Sequence, residues 1–433
     1  MIDFTGATIG FILMLGMMAL GLHVAVAIFL TSVLGAIVYF GPDLLDTFAT
    51  QLWAVMNDFI LTAIPLFVLL GELLMRAGVT QRMYSGLSTW LGRLPGGLLH
   101  TNIGASGLFA AVSGSSVATA ATISTVALPE LRKRGYNERL VLGSIAAGAT
   151  LGILIPPSVN LIIYGALTGT SIGQLFAAGI VPGLLLIGLF MLSIAIISLL
   201  LPGSAGALDE AATWSEKVKS LQHLIPPLSI FVVVMGAIYT GWATPTEAAA
   251  VGVLMAVALA AGNKALSISM LHDAFLSTVR TTAMILLIII AAFYLKFIIG
   301  ILGVPQAMTS FVAAMALTPL EFIFVLVIFY LILGCFIETL SMMVGTIPIV
   351  FPLVLHMGLD PVWFGIFLVL MMELALITPP VGMNLFVVQG VRRTGSVIDV
   401  FYGIIPFVGV VLFAVSLIIA FPGIVTWLPY KMF

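Results

Sequence analysis

Charge is what this chain has least of. Only 7% of its 433 residues are Asp, Glu, Lys or Arg, against roughly 25% in a soluble domain. The net charge of −2 offers no electrostatic footprint for nucleic acid. Cys335 is the only cysteine, which excludes a disulfide framework and a Cys-based metal site and leaves a small apolar packing residue. The five histidines, at 23, 100, 223, 272 and 356, fall mostly at segment ends. There is no His/Glu metal pattern, no GxSxG and no phosphate loop. An enzyme is therefore not expected, and ATP does not drive this chain directly. The start, Met1-Ile2-Asp3-Phe4, lacks the basic region of a cleaved signal peptide, so the first apolar segment is expected to be retained.

What is present in excess is apolar surface. Hydrophobic residues make up 62% of the chain, more than a water-soluble fold can hide, so the solvent is a bilayer. The chain also repeats itself. Pro156-Pro157 followed by Asn160 recurs as Pro379-Pro380 followed by Asn384. Gly179-Ile180-Val181-Pro182 returns as Gly403-Ile404-Ile405-Pro406, and Pro95 and Gly135 return as Pro319 and Gly358. The offset stays between 223 and 225 residues. A duplicated half with Pro-broken apolar segments at matching places points to a transporter whose site lies where the halves meet.

A spanning helix needs about 20 apolar residues. Spans are expected near 6–21, 24–40, 52–75, 138–168, 174–201, 224–241, 246–262, 281–302, 361–391 and 400–428. The segments 138–168 and 361–391 each hold a Pro-Pro pair, which removes backbone donors and ends a helix locally. Each is read as two half-helices around an unwound stretch. Two more apolar regions, about 95–130 and 319–357, have polar or Gly-rich middles. Two full spans or one re-entrant hairpin would fit each, and the Ser/Gly-rich midpoints favour hairpins. Segments 78–93 and 304–318 mix polar and apolar residues and read as helices along the interface, or as plain loops.

Lys and Arg concentrate in cytoplasmic loops. Arg82, Arg93, Arg132, Lys133, Arg134 and Arg139 flank the first hairpin region, whereas no Lys or Arg flanks the second. With both termini outside, 13 of the 15 Lys and Arg fall on the cytoplasmic side, Lys296 and Lys431 being the exceptions. The halves, 1–200 and 224–433, are then inverted repeats joined by a cytoplasmic linker, 201–223, that carries Asp209, Glu210, Lys217 and Lys219. The expected fold is an all-α polytopic membrane protein with about ten transmembrane helices and two re-entrant hairpins.

Backbone at membrane depth must be hydrogen-bonded or line a wet cavity. Hairpin tips and Pro-Pro breaks leave carbonyls free, and with Ser and Thr hydroxyls these are hard ligands for a small cation. New half-helix N-termini offer N–H groups to an anion. The tip Ser113–Ser116 is expected to meet the break 152–157, and the tip 334–339 the break 375–380. Around them Ser115, Thr119, Asn160, Glu338, Thr339 and Asn384 are candidates for substrate contact. Asn160 and Asn384 serve equally well as helix–helix hydrogen-bonding residues. Glu72 and Arg76, four apart, suit a local ion pair, and Glu247 suits a helix cap. Lys296 and Glu373 have no partner evident in sequence.

The run Gly241-Trp242-Ala243-Thr244-Pro245-Thr246-Glu247-Ala248-Ala249, the break Ile155-Pro156-Pro157-Ser158 and the break Thr378-Pro379-Pro380-Val381-Gly382-Met383-Asn384 resemble the large membrane subunit of TRAP (tripartite ATP-independent periplasmic) transporters. The resemblance extends over essentially the whole chain. It implies a separate small four-helix membrane subunit, a periplasmic substrate-binding protein, inner-membrane location, sodium-driven uptake and an elevator-type motion. The implied cargo is an organic anion: a dicarboxylate, sialic acid, a sugar acid or a keto acid. It also implies about two sodium ions. One would be held by Ser113, Ser116, Gly152, Ile155 and Pro157. The other would be held by Gly334, Phe336, Ala375 and Thr378, partly through carbonyls.

Overall fold

The computed structural model describes residues 4–201, 203 and 212–433. It is all-helical, as expected. The first half runs α1 (Phe4–Ala19), α2 (Val24–Phe40), α3 (Thr47–Met56), α4 (Ala63–Arg76), α5 (Val79–Leu91), α6 (Leu98–Ser113), α7 (Ser116–Lys133), α8 (Glu138–Thr150), α9 (Val159–Thr168) and α10 (Ile172–Leu200). The second runs α11 (Trp214–Tyr239), α12 (Pro245–Gly262), α13 (Ile268–Leu302), α14 (Val304–Ala314), α15 (Pro319–Gly334), α16 (Thr339–His356), α17 (Pro361–Ile377), α18 (Met383–Arg392), α19 (Val397–Ala420) and α20 (Gly423–Met432). Among the described residues seven helical stretches are long and apolar enough to cross a membrane unaided.

The halves correspond closely, with α13 answering α3 and α4 together, and side-chain bonds show that they are inverted. At the end of α4, Arg76 pairs with Glu72 at 3.2 Å, and it reaches Ser277 and Asp273 at the start of α13. Arg82 on α5 donates to Asn263 at the end of α12, and Trp90 donates to Ser220 on α11. These ends share one face, rich in Arg and Lys. On the opposite face Thr246 at the start of α12 donates to the Phe59 carbonyl, Tyr164 on α9 to Pro361, and Trp363 on α17 to Ile418 on α19. So α4 ends on the basic face, whereas its counterpart α13 begins there.

Several boundaries differ from expectation. The 52–75 segment is not one helix. The Asn57 amide caps the end of α3 by donating to Trp53, and Asp58 accepts from the Ile60 N–H to start a new turn. The crossing stretch is 59–76, and α3 lies beside α13 through the Phe48–Tyr294 ring contact. The matching part of the second half has no such pair of caps and runs on as the 35-residue α13. The segments 78–93 and 304–318 are helical, as α5 and α14. The expected linker is partly helical, because the Thr213–Glu216 capping box starts α11. Asp209 and Glu210 lie outside the described residues.

Both hairpins pack on their own half's broken helix, α6 and α7 on α8, α15 and α16 on α17. Their outer arms cross over: α7 packs on α18, and α16 on α9. A buried chain, Tyr84 to Asn102 at 2.8 Å and Asn102 to Ser144 at 2.9 Å, ties α5, α6 and α8 together. Where α8 meets α19, Gly143 and Gly403 touch backbone to backbone, and a Cβ on either would overlap the facing chain. Small residues allow this approach between membrane helices.

Candidate ion and anion site at the crossed breaks

Each break follows from missing donors. In a helix the N–H of residue i bonds the carbonyl of i−4, and proline has no N–H. Pro156 and Pro157 therefore orphan the carbonyls of Gly152 and Ile153; Pro379 and Pro380 orphan those of Ala375 and Leu376. The Ile153 carbonyl is recovered by the Ser158 hydroxyl at 2.5 Å, and Ser158 also caps α9. The Gly152 and Ala375 carbonyls are left with no proline N–H to accept.

The tips pack directly on the break residues. A Cβ on Gly152 would stand 2.7 Å from the Ser115 carbonyl carbon and 2.8 Å from the Ser116 nitrogen. A Cβ on Gly114 would stand 2.8 Å from the Pro157 carbonyl oxygen. In the second unit a Cβ on Gly334 would meet Ala375 Cβ at 2.5 Å. Each tip is thus in backbone contact with its own break. From there α18, ten residues long, runs about 15 Å to the basic face, so the α15–α16 tip stops short of it. The second hairpin thus turns back before the basic face, as a re-entrant hairpin does.

Within the first tip the Ser113 and Thr119 hydroxyls are 3.3 Å apart, Thr119 donates to the Ser115 carbonyl at 2.7 Å, and Ser115 caps α7. Gly71 of α4 lies against the Ser113 backbone, where a Cβ would sit 3.0 Å from Ser113 Cα. Ser116 belongs to both units. It is buried and stands 3.5 Å from the Asn384 side-chain oxygen, and the Asn384 amide donates to the Ala146 carbonyl on α8 at 3.4 Å. Asn160 is also buried, and its side chain has no hydrogen-bond partner among the described residues. The candidate donors at both junctions are carbonyl and hydroxyl oxygens, hard ligands that fit a small hard cation.

Three candidates are placed differently from their simplest reading. The Phe336 ring is 69% exposed, so only its backbone can face a ligand. The Thr378 hydroxyl donates to the Leu374 carbonyl at 2.6 Å and has only its lone pairs to offer. Glu338 is the N-cap of α16. Its carboxylate accepts from the Leu340 and Ser341 N–H groups and from the Thr339 and Ser341 hydroxyls, at 2.8–3.1 Å. That N-terminus already holds an anion. Of the four helix starts at the centre, α7, α9 and α16 carry a side-chain cap, while α18, after Gly382, carries none. The Leu385 N–H donates to the Gly382 carbonyl at 2.8 Å, so the Met383 and Asn384 N–H groups are the unclaimed ones.

Lys296 and Glu373 do not pair with each other. The Lys296 ammonium donates to the Leu167 carbonyl at 2.7 Å, and the fully buried Glu373 carboxyl has no partner among the described residues. Sequence reasoning missed a cluster on the basic face. Arg392 is itself buried and holds Glu138 at 2.9 Å and Asp399 at 3.2 Å; Arg132 and Arg139 complete it. Glu138 and Arg392 are 254 residues apart, and only the basic runs in each loop hinted at their meeting.

Two inverted halves with crossed hairpins and a bonded centre define a membrane transporter fold. The same architecture occurs in the solved Alcanivorax borkumensis YdaH transporter, with a TM-score of 0.63 at 15% identity over 90% of this chain and 91% of that one. The sequence profile of the tripartite ATP-independent periplasmic transporter DctM component matches residues 11–424. The C4-dicarboxylate TRAP transporter large permease protein DctM of Vibrio cholerae is 33% identical, over 97% of this chain and 96% of its own length. The ectoine TRAP transporter large permease protein TeaC of Halomonas elongata is 30% identical, over 96% and 97%. The chain belongs to the TRAP transporter large permease family, whose members are transporters and not enzymes.

Proposed function

We propose that this chain is the large permease of a sodium-coupled, binding-protein-dependent importer of a small organic anion. It lies in the bacterial or archaeal inner membrane, both termini periplasmic and the Arg-rich face cytoplasmic. The observation that carries the reading is the pair of tip–break junctions, each with a carbonyl orphaned by proline, bridged by Ser116 and Asn384.

In this reading Ser113, Ser116 and the Gly152, Ile155 and Pro157 carbonyls hold one sodium ion. The Gly334, Phe336 and Ala375 carbonyls with Thr378 hold another. Bound sodium supplies positive charge at each junction and fixes tip against break. The substrate carboxylate takes the uncapped N–H groups of α18, with Asn384, Ser116, Ser115, Thr119 and Asn160 beside it. Glu338 orders the second tip as a cap, and Thr339 lies next to it. Dicarboxylates and ectoine, the cargoes in the names of the two relatives, share a carboxylate. The tip–break units move together past α2, α4, α12 and α13 in an elevator-type exchange. A separate small four-helix subunit supports those helices, and a periplasmic binding protein delivers and selects the cargo.

Proteoliposomes test this. Uptake of the binding protein's ligand is expected only with the small subunit, the binding protein and an inward sodium gradient. Uptake by this chain alone would overturn the reading in favour of a stand-alone sodium/dicarboxylate transporter.

A further inference from the structure

Beyond the Ser116–Asn384 contact, α7 and α18 continue side by side toward the basic face. Eight or nine residues on, about 12–14 Å at the helical rise, they open onto a cavity of about 480 Å³. Ser124, Thr125, Arg132, Arg392 and Arg393 line it. That volume suits a small ligand.

The wall is built for an anion. Three guanidinium groups line it, on Arg132, Arg392 and Arg393; Glu138 pairs with Arg132 and Arg392, and Asp399 with Arg392 and, outside the wall, Arg139. The Arg392 guanidinium holds the Glu138 carboxyl below its ordinary range, and Arg139 and Arg392 both bond Asp399. Those carboxylates stay charged and use up Arg132, Arg139 and Arg392. Arg393 is exposed, and its guanidinium has no hydrogen-bond or ion-pair partner among the described residues. It ends α18 with φ 58°, a backbone region that L side chains seldom enter, and such outliers cluster at ligand clamps. Opposite, on α7, Ser124 is fully buried, lines the cavity, and its hydroxyl has no partner among the described residues. A free guanidinium and an unclaimed hydroxyl across one cavity are the groups that recognise a carboxylate or a phosphate.

We propose that this pocket is a release vestibule, where the carboxylate of the transported anion binds Arg393 and Ser124 after leaving the central site. This rests on the anion-import reading above. The same chemistry would accept the phosphate of an inner-leaflet lipid.

The test uses the full chain with Cys335→Ser and Thr125→Cys, Thr125 being exposed on the pocket wall. Anionic and cationic methanethiosulfonate reagents are compared with their rates on a free thiol. A field of a few kT favours the anionic reagent by about tenfold. Arg393→Gln is expected to remove most of that preference and Arg393→Lys to keep it, which separates lost charge from misfolding. Millimolar succinate is expected to slow the anionic reagent, and Arg393→Gln to abolish this protection. No preference, or no protection by succinate, overturns the proposal. If vesicles containing phosphatidylglycerol block labelling where phosphatidylcholine vesicles do not, and succinate adds nothing, the pocket holds lipid and the release role fails. The readout needs no sodium, no partner and no turnover. A negative uptake assay beside positive labelling would therefore count against import alone.

Discussion

At the scale of single residues, glycine and proline carry the site. Gly152 is where a Cβ has no room, because the Ser115 and Ser116 backbone occupies that space. Gly152→Ala is expected to push tip from break, at a cost of about 1–3 kcal/mol of overpacking, and to abolish sodium-dependent uptake while the protein still inserts. Near-normal uptake would show that the contact is slack. Ser113→Ala and Thr378→Ala are expected to raise the sodium concentration for half-maximal uptake. Unchanged sodium dependence in both would leave only carbonyls as ligands. Glu338 separates cap from ligand. Glu338→Asp keeps a capping oxygen and is expected to retain uptake, whereas Glu338→Ala loses about 1 kcal/mol of α16 stability; equal loss in both would make the carboxylate a substrate contact instead. The Pro-Pro pairs and the polar tips were legible in the sequence, because a missing N–H is a property of the residue itself. The capping role of Glu338 was not, since it depends on where α16 starts.

At the scale of elements, the caps are local and the crossings are not. Thr244–Pro245–Thr246–Glu247 forms the expected capping box, with Thr244 and Glu247 bonding at 2.8 Å. By contrast, the contacts of α7 with α18 and of α8 with α19 join opposite halves, and no periodicity announces them. The Glu138–Arg392–Asp399 cluster, with Arg132 of α7 on Glu138, holds those four helices at the basic face. The Arg392 partner keeps the Glu138 carboxyl below its ordinary range, so this contribution is present above the unfolded value and is lost as pH falls through the folded one. Acidification below the ordinary glutamate range is expected to loosen α8 against α18 and raise hydrogen exchange there. Glu138→Gln is expected to weaken that acid response, with Asp399 still paired to Arg392 and Arg139. Exchange that rises equally in wild type and Glu138→Gln would assign the acid effect elsewhere.

At the scale of the whole molecule, the inverted arrangement was readable because loop charges mark sides independently of helix packing. It left the break at Asn57–Asp58 unseen, since a run of apolar residues gives length but not continuity. The orientation proposed above rests on the same charges. Cysteines placed at Ala243 and Ala265, at the two ends of α12, are expected to label from opposite sides, Ala243 from the periplasm. Labelling of both from one side would break the topology.

The central claim is that two tip–break junctions, related by inversion, bind sodium. Hydrogen exchange of the full chain in nanodiscs, in sodium against equal choline, tests it most directly. The account predicts slower exchange confined to the tips, 113–119 and 334–341, and to the breaks that face them. Identical exchange in the two salts, at both junctions, would contradict it.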